Sequence, residues 1–304
     1  MRRSALRRVG RVLVPALVAL GTLTTQAAAA TRDYWVAAVP VQWDVVPSGT
    51  DPMMGTTYPK SQTRDWTVVY RLYDRRWRHP RAAGAVPGPL IRARVGDRIR
   101  VHFKNLDFRF HNSHSMHFHG VHYAFPSDGS YIPGITGRGA DVRPGQAFTY
   151  VLRAGRDSVG AWPYHDHGPA MDASIAGGMY GMLSIIPRRA RWPDREFVVA
   201  LSSMRGFMTI NGRAFLGNTP VFRARVGDRV RWDVMSMGDD FHTFHVHGHR
   251  WLRGGVPEDV RTVGPAESFT VSWRERSPGA WYYHCHVESH MMQGMIGIYR
   301  VRRR

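Results

Sequence analysis

The chain repeats itself, and the repeat has the length of a domain. The run Pro89-Leu90-Ile91-Arg92-Ala93-Arg94-Val95-Gly96-Asp97-Arg98-Ile99-Arg100 returns as Pro220-Val221-Phe222-Arg223-Ala224-Arg225-Val226-Gly227-Asp228-Arg229-Val230-Arg231. Further on, Ser158-Val159-Gly160-Ala161-Trp162-Pro163-Tyr164-His165-Asp166-His167 returns as Ser277-Pro278-Gly279-Ala280-Trp281-Tyr282-Tyr283-His284-Cys285-His286. A period this long means two copies of a whole domain rather than a stack of small units. The 304 residues are enough for two cores.

Each copy reads as β. Ile99, Val101 and Phe103 alternate with Arg100, His102 and Lys104; Phe148, Tyr150 and Leu152 alternate with Thr149 and Arg153; Phe269, Val271 and Trp273 alternate with Thr270, Ser272 and Arg274. This period of two buries one face of each strand and wets the other. Gly and Pro punctuate between strands, and no long stretch has helical periodicity. The expectation is an all-β protein, an antiparallel sandwich over residues 31–187 and a second over 194–304. The linker falls near Pro187 and Pro193.

Residues 1–30 read as an export signal: Arg2, Arg3, Arg7, Arg8 and Arg11, an apolar stretch from Val12 to Leu23, and an Ala-x-Ala cleavage site in Ala27 to Ala30. The apolar run is too short to span a bilayer, and Arg7-Arg8 hints at the twin-arginine route. No later run is long enough for a membrane helix, so a secreted, soluble protein with no membrane partner is expected. The net charge is +19, yet Lys occurs only at Lys60 and Lys104. The Arg residues are scattered along strands, as at Arg92, Arg94, Arg98 and Arg100, without the clustering and interleaved aromatics of a nucleic-acid surface. They read as a solvated basic exterior.

Ten of the sixteen His fall in four tight groups: His117-x-His119, His165-x-His167, His242-x-x-His245-x-His247, and His284-Cys285-His286 followed by His290. On a strand, residues i and i+2 point the same way, so each His-x-His offers two imidazoles side by side. Four such pairs, two at matching positions in each repeat, point to metal. Structural zinc sites use several thiolates; here the chain's one Cys sits among many imidazoles. Two His, one Cys and a weak Met make a blue-copper site, and the candidates are His242, Cys285, His290 and Met295. The remaining eight, His117, His119, His165, His167, His245, His247, His284 and His286, suffice for three more coppers. Cys285 lies between His284 and His286, so one strand joins the thiolate to the imidazole cluster.

These four segments in this order resemble the multicopper oxidases, and among them the two-domain small laccases, over the whole chain beyond the signal. The resemblance implies two cupredoxin-like Greek-key β-sandwich domains and four coppers per chain. It puts type 1 copper on His242, Cys285 and His290 with Met295 axial. Type 2 falls to His117 and His245, and the type 3 pair to His119, His165, His167, His247, His284 and His286. It implies that Tyr123 sits near type 2 copper and gives it an electron, and that Asp128 relays protons. It also implies a homotrimer with clusters at subunit junctions. Asp166 stands where the second copy has Cys285, and His114 and Met179 echo His242 and Met295, so the first copy builds no blue site. The expected reaction takes single electrons from a phenol or aromatic amine and reduces dioxygen to water. Cuprous ion is an alternative donor, given fourteen Met that include Met291 and Met292 beside the blue site and Met204, Met208, Met235 and Met237 elsewhere. A two-domain copper nitrite reductase, with its blue site in the first domain, fits less well. His79, His102, His111, His114, His122 and His249 read as surface residues or supports of the ligands.

Overall fold

The computed structural model describes residues 29–135 and 137–304, so the signal segment falls outside the described residues but for its last two. The alternating segments form strands. In the first domain these are β1 (Thr31–Asp44), β2 (Arg64–Tyr73), β3 (Ile91–Arg94), β4 (Arg98–Asn105), β5 (His117–Phe118), β6 (His122–Tyr123), β7 (Ala147–Arg153), β8 (Gly160–His165) and β9 (Tyr180–Ile186). The second has β10 (Arg195–Met204), β11 (Phe207–Ile210), β12 (Val221–Arg225), β13 (Arg229–Met237), β14 (His242–Val246), β15 (Val260–Val263), β16 (Ser268–Arg274), β17 (Gly279–Cys285) and β18 (Ile296–Arg302). Two short helices matter for the site: α1 (Met171–Ala176) and α2 (Glu288–Met292).

Each domain is a sandwich of two sheets. The first stacks β2-β1-β4-β7-β6 on β3-β9-β8-β5; the second stacks β11-β10-β13-β16 on β12-β18-β17-β14-β15. The sheets are not purely antiparallel, as the alternation had suggested. β1 runs parallel to β4, β3 to β9, β10 to β13 and β12 to β18. In each case the chain visits other strands before returning, so it re-enters beside its earlier strand in the same direction.

Between the sheets lie two matching cores. Ile99, Val101, Phe103, Tyr150, Leu152 and Tyr164 fill the first; Val230, Trp232, Val234, Phe244, Tyr283 and Tyr299 fill the second. A third apolar cluster joins the domains. Ala37, Val39, Trp43, Ala161, Tyr180 and Met182 meet Ala200, Met204, Phe207, Phe215, Met235 and Met237 there. Beside this seam Glu196 accepts from Ser184 at 2.6 Å and from Arg92 at 2.6 Å, tying the second domain's first strand to the first domain.

Candidate metal centre

Strand alternation sorts the second-domain candidate ligands onto two faces of β17. Cys285 points into the sandwich with Phe244, its cross-strand partner, and is fully buried. His284 points out of the sandwich opposite His245. His242 lies two residues before Phe244 and shares its inward face, and α2 brings His290 to the same place. Cys285 Sγ is 3.8 Å from both His242 Nδ1 and His290 Nδ1, and the two nitrogens are 3.1 Å apart. Met295 is fully buried in the same core, and its carbonyl accepts from the Cys285 amide at 3.1 Å. The Thr243 amide donates to Cys285 Sγ at 3.3 Å.

The His-x-His pairs assemble by register. His117 faces His165 across β5 and β8, and His245 faces His284 across β14 and β17. His119 Nε2 then lies 3.1 Å from His165 Nε2, and His247 Nε2 lies 3.0 Å from His284 Nε2. His167 and His286 complete each quartet, with rings 5.3 Å from His117 and 5.6 Å from His245. A glycine follows His119 and another follows His247. Gly120 has φ +69° and Gly248 φ +68°, and an added Cβ would lie 2.0 Å from Trp162 or 2.6 Å from Trp281. Both the left-handed turn and the ring packed on it require glycine.

The donor set fits a soft or borderline metal cation. His165 Nδ1 donates to the Asp166 carbonyl at 2.9 Å and His284 Nδ1 to the Cys285 carbonyl at 2.8 Å, so each ring turns a bare Nε2 lone pair inward. Burial, and then the neighbouring imidazoles, hold His119, His165 and His284 down at about 4, so they are neutral. Burial and then His290 do the same to His242, also at about 4. Its Nε2 is buried without a partner. Neutral nitrogens converging at about 3 Å repel unless something positive lies between them. One buried Cys sulfur beside two converging His nitrogens is the His₂Cys set of a blue-copper site.

Tyr123 and Asp128 lie beside the first quartet. The Tyr123 ring is 6.3 Å from that of His117, and its hydroxyl donates to Asp128. The Asp128 carbonyl accepts from His117 Nδ1 at 2.7 Å, and its carboxylate is 3.6 Å from the same nitrogen. Burial and then the Asp128 charge push the Tyr123 phenol up to about 12.

In the first domain the blue-site position is filled from within. The Asp166 carboxylate accepts from the Ser115 amide at 2.7 Å and from His114 Nδ1 at 2.8 Å, and His114 Nε2 reaches Asp107 at 3.3 Å. The Asp166 amide donates to the Met179 carbonyl at 3.0 Å, as the Cys285 amide does to Met295. All three charged side chains are buried. Sequence reasoning aligned His114 with His242 but missed Asp107, whose spacing to His114 carries no signal.

Comparison with known proteins bears on the same residues. Two family models, each described as multicopper oxidase, match residues 73–190 and 192–304. The chain belongs to the multicopper oxidases. Members of this family use copper, with dioxygen as oxidant. A solved structure titled multicopper oxidase shares the chain's fold at a TM-score of 0.69, with 25% identity over 89% of both chains. A probable nitrite reductase-hydroxylamine oxidoreductase fusion protein of Kuenenia stuttgartiensis is 31% identical over 71% of the chain and 27% of its own length. Ferroxidase HEPHL1 of Homo sapiens is 27% identical over 89% of the chain and 29% of its own length. The chain therefore spans less than a third of these relatives. Among the described residues, no helix is long and apolar enough to cross a membrane.

Proposed function

We propose that this chain is an exported laccase-like oxidase that takes electrons singly from phenols or aromatic amines and passes them to dioxygen, forming water. The observation that carries the reading is the continuity of β17. It ends at Cys285 in the thiolate site, while the adjacent His284 belongs to the imidazole quartet. Copper would be held by His242, Cys285 and His290 with Met295, by His117 and His245, and by His119, His165, His167, His247, His284 and His286. It would supply the one-electron chemistry. His290 is half-buried, and Phe241, next to His242 in sequence, and Met292, two residues past His290, are exposed apolar side chains that would receive an aromatic donor. The backbone from Cys285 to His284 is the short covalent link along which electrons leave the thiolate site. Tyr123 and Asp128 supply a phenol and a carboxylate beside His117, and the carboxylate, held ionised by Ser130 and His117 against its burial, takes up and hands on protons.

The two quartets form separate groups within one chain. We take each as half of a cluster completed by the next chain in a head-to-tail ring of three. Residues 1–30 support export.

A second reading, oxidation of a reduced metal cation, draws on the name of the ferroxidase relative and on one cleft. His165, His167, Met171, Asp172, Met237, Asp239 and Asp240 line a space of about 610 Å³ between the domains, two residues from His242. Oxygen uptake with a dimethoxyphenol against ferrous and cuprous ion separates the two. Copper analysis of fully metallated protein tests both: about four per chain supports the oxidase, and one or two overturns it.

A further inference from the structure

The two repeats treat one corner of their cores in opposite ways. In the second domain His249 follows the ligand pair and is buried. Its Nδ1 donates to the carbonyl of His247 at 2.7 Å, and its Nε2 lies 3.1 and 3.2 Å from the two carboxylate oxygens of Glu275. Both ring nitrogens thus sit within hydrogen-bond distance of fixed oxygens, which locks the orientation of the ring. Glu275 is itself gripped by the Tyr299 hydroxyl at 2.6 Å, Trp273 Nε1 at 3.0 Å and the amides of Arg276 and Ser277 at 2.9 and 3.0 Å. The His249 ring also packs on Trp273 at 5.2 Å and Trp281 at 5.6 Å.

The first domain offers the matching positions for comparison. The amide of Ala154 donates to Asp97 and its carbonyl accepts from Gly96; Glu275 makes the same two bonds with Asp228 and Gly227. By the strand registers Trp273 corresponds to Leu152 and Tyr299 to Leu183, and His249 follows Gly248 as Val121 follows Gly120. The same corner of the same fold is therefore packed with Val121, Leu152, Ala154 and Leu183, all apolar. Burying polar side chains in a core brings little net stability, because desolvation offsets their mutual attraction, and the first repeat builds this corner without them.

We infer that His249, held by Glu275, is a positioning residue for the second-domain quartet: it fixes the backbone of His247 and so aims that ring at His284. The inference rests on the oxidase reading. It singles out the domain whose quartet is joined to Cys285, where an error in ring placement disturbs the path as well as the ligand set. Supports of this kind commonly alter metal affinity by about ten- to a hundred-fold when lost.

The test uses the full chain loaded with copper. His249→Val installs the first repeat's residue, and His249→Asn keeps an amide donor near the place of Nδ1. The readouts are the rate of copper loss to a cuprous chelator, the spectroscopic signature of the coupled pair, the blue thiolate absorption, and the unfolding temperature of the copper-free protein. H249V should lose cluster copper roughly ten- to a hundred-fold faster, with its blue absorption kept, and H249N should recover most of the difference. Glu275→Gln should behave like H249V in a weaker form, and covers the case in which H249V does not fold. Equal chelator resistance in wild type and H249V, or equal loss in H249V and H249N, would overturn the positioning role. Failure of the wild type to take up about four coppers would instead overturn the oxidase reading, and this inference with it.

Discussion

His114 carries a charge at the position where its counterpart His242 offers a lone pair. Burial alone would lower the His114 pKa, but hydrogen bonds to Asp107 and Asp166 outweigh it and hold the group at about 9. The folded value lies above the ordinary 6.5, so the stability this group contributes is complete below pH 6.5 and disappears as the pH rises through 9. Denaturant titrations should therefore show an alkaline loss of stability that His114→Ala abolishes. That variant should also cost about 3–5 kcal/mol at neutral pH, since it strands two buried carboxylates. Asp233 shows the opposite behaviour. Burial raises its carboxyl from 3.8 to about 6 in spite of Arg231, and Asp233 Oδ2 has no partner. Its contribution is complete below pH 3.8 and lost by the time the pH has risen through 6. Asp233→Asn should thus match or exceed wild type in stability at pH 7.5, by on the order of 1–3 kcal/mol; a clear destabilisation would refute this. The clustering of the His residues was legible because a spacing of two on a strand is a geometric statement. Glu275 was not, because its donors come from β16, β18, the turn after Gly248 and the loop after Glu275 itself.

At the scale of the element, the ligand pairs depend on the turns that follow them. Gly120→Ala and Gly248→Ala each force a left-handed residue, at about 1–2 kcal/mol, and drive a methyl into a Trp ring 2.0 or 2.6 Å away. Both should lower copper retention as well as the unfolding temperature, G120A more than G248A because its contact is the closer. An unfolding midpoint unchanged in either would mean that the Trp moves freely. Trp232 is fully buried at the centre of the second core, stacking on Trp273 at 6.0 Å and meeting Tyr299 at 5.1 Å. Trp232→Ala should cost about 3–5 kcal/mol by urea denaturation. Alternation showed which residues of β4 and β7 face the core, and those residues do. It was silent on the direction of each neighbour, so the four parallel pairs went unseen. They depend on which sheet the chain enters next, and that choice leaves no local pattern.

The whole molecule is two repeats locked by an apolar seam. The repeat made both domains legible, but the seam was hidden. Its residues Ala161, Tyr180 and Met182 lie on outward faces of β8 and β9, where alternation predicts polar groups and where the second domain in fact supplies the cover. If the quartets of different chains complete one another, cluster copper must follow assembly. Native mass spectrometry across a dilution series should then show single chains that keep about one copper and the blue colour, and assembled species that hold about four per chain. Single chains with a full complement would exclude the shared cluster.

The ion pair built from His114 and Asp166 also changes what the protein asks of its surroundings. The first repeat keeps its own cation, a proton, in the place where the second repeat needs an imported one. Under copper starvation the first repeat's central packing is already complete, whereas the second sets His242, Cys285 and His290 against one another with no acidic side chain of its own among them. Scarcity should therefore fall unevenly on the chain. Proteolysis of copper-starved protein should cut first in the loops around α2 and His242, and restoring copper should protect those loops while leaving the first repeat's digestion unchanged.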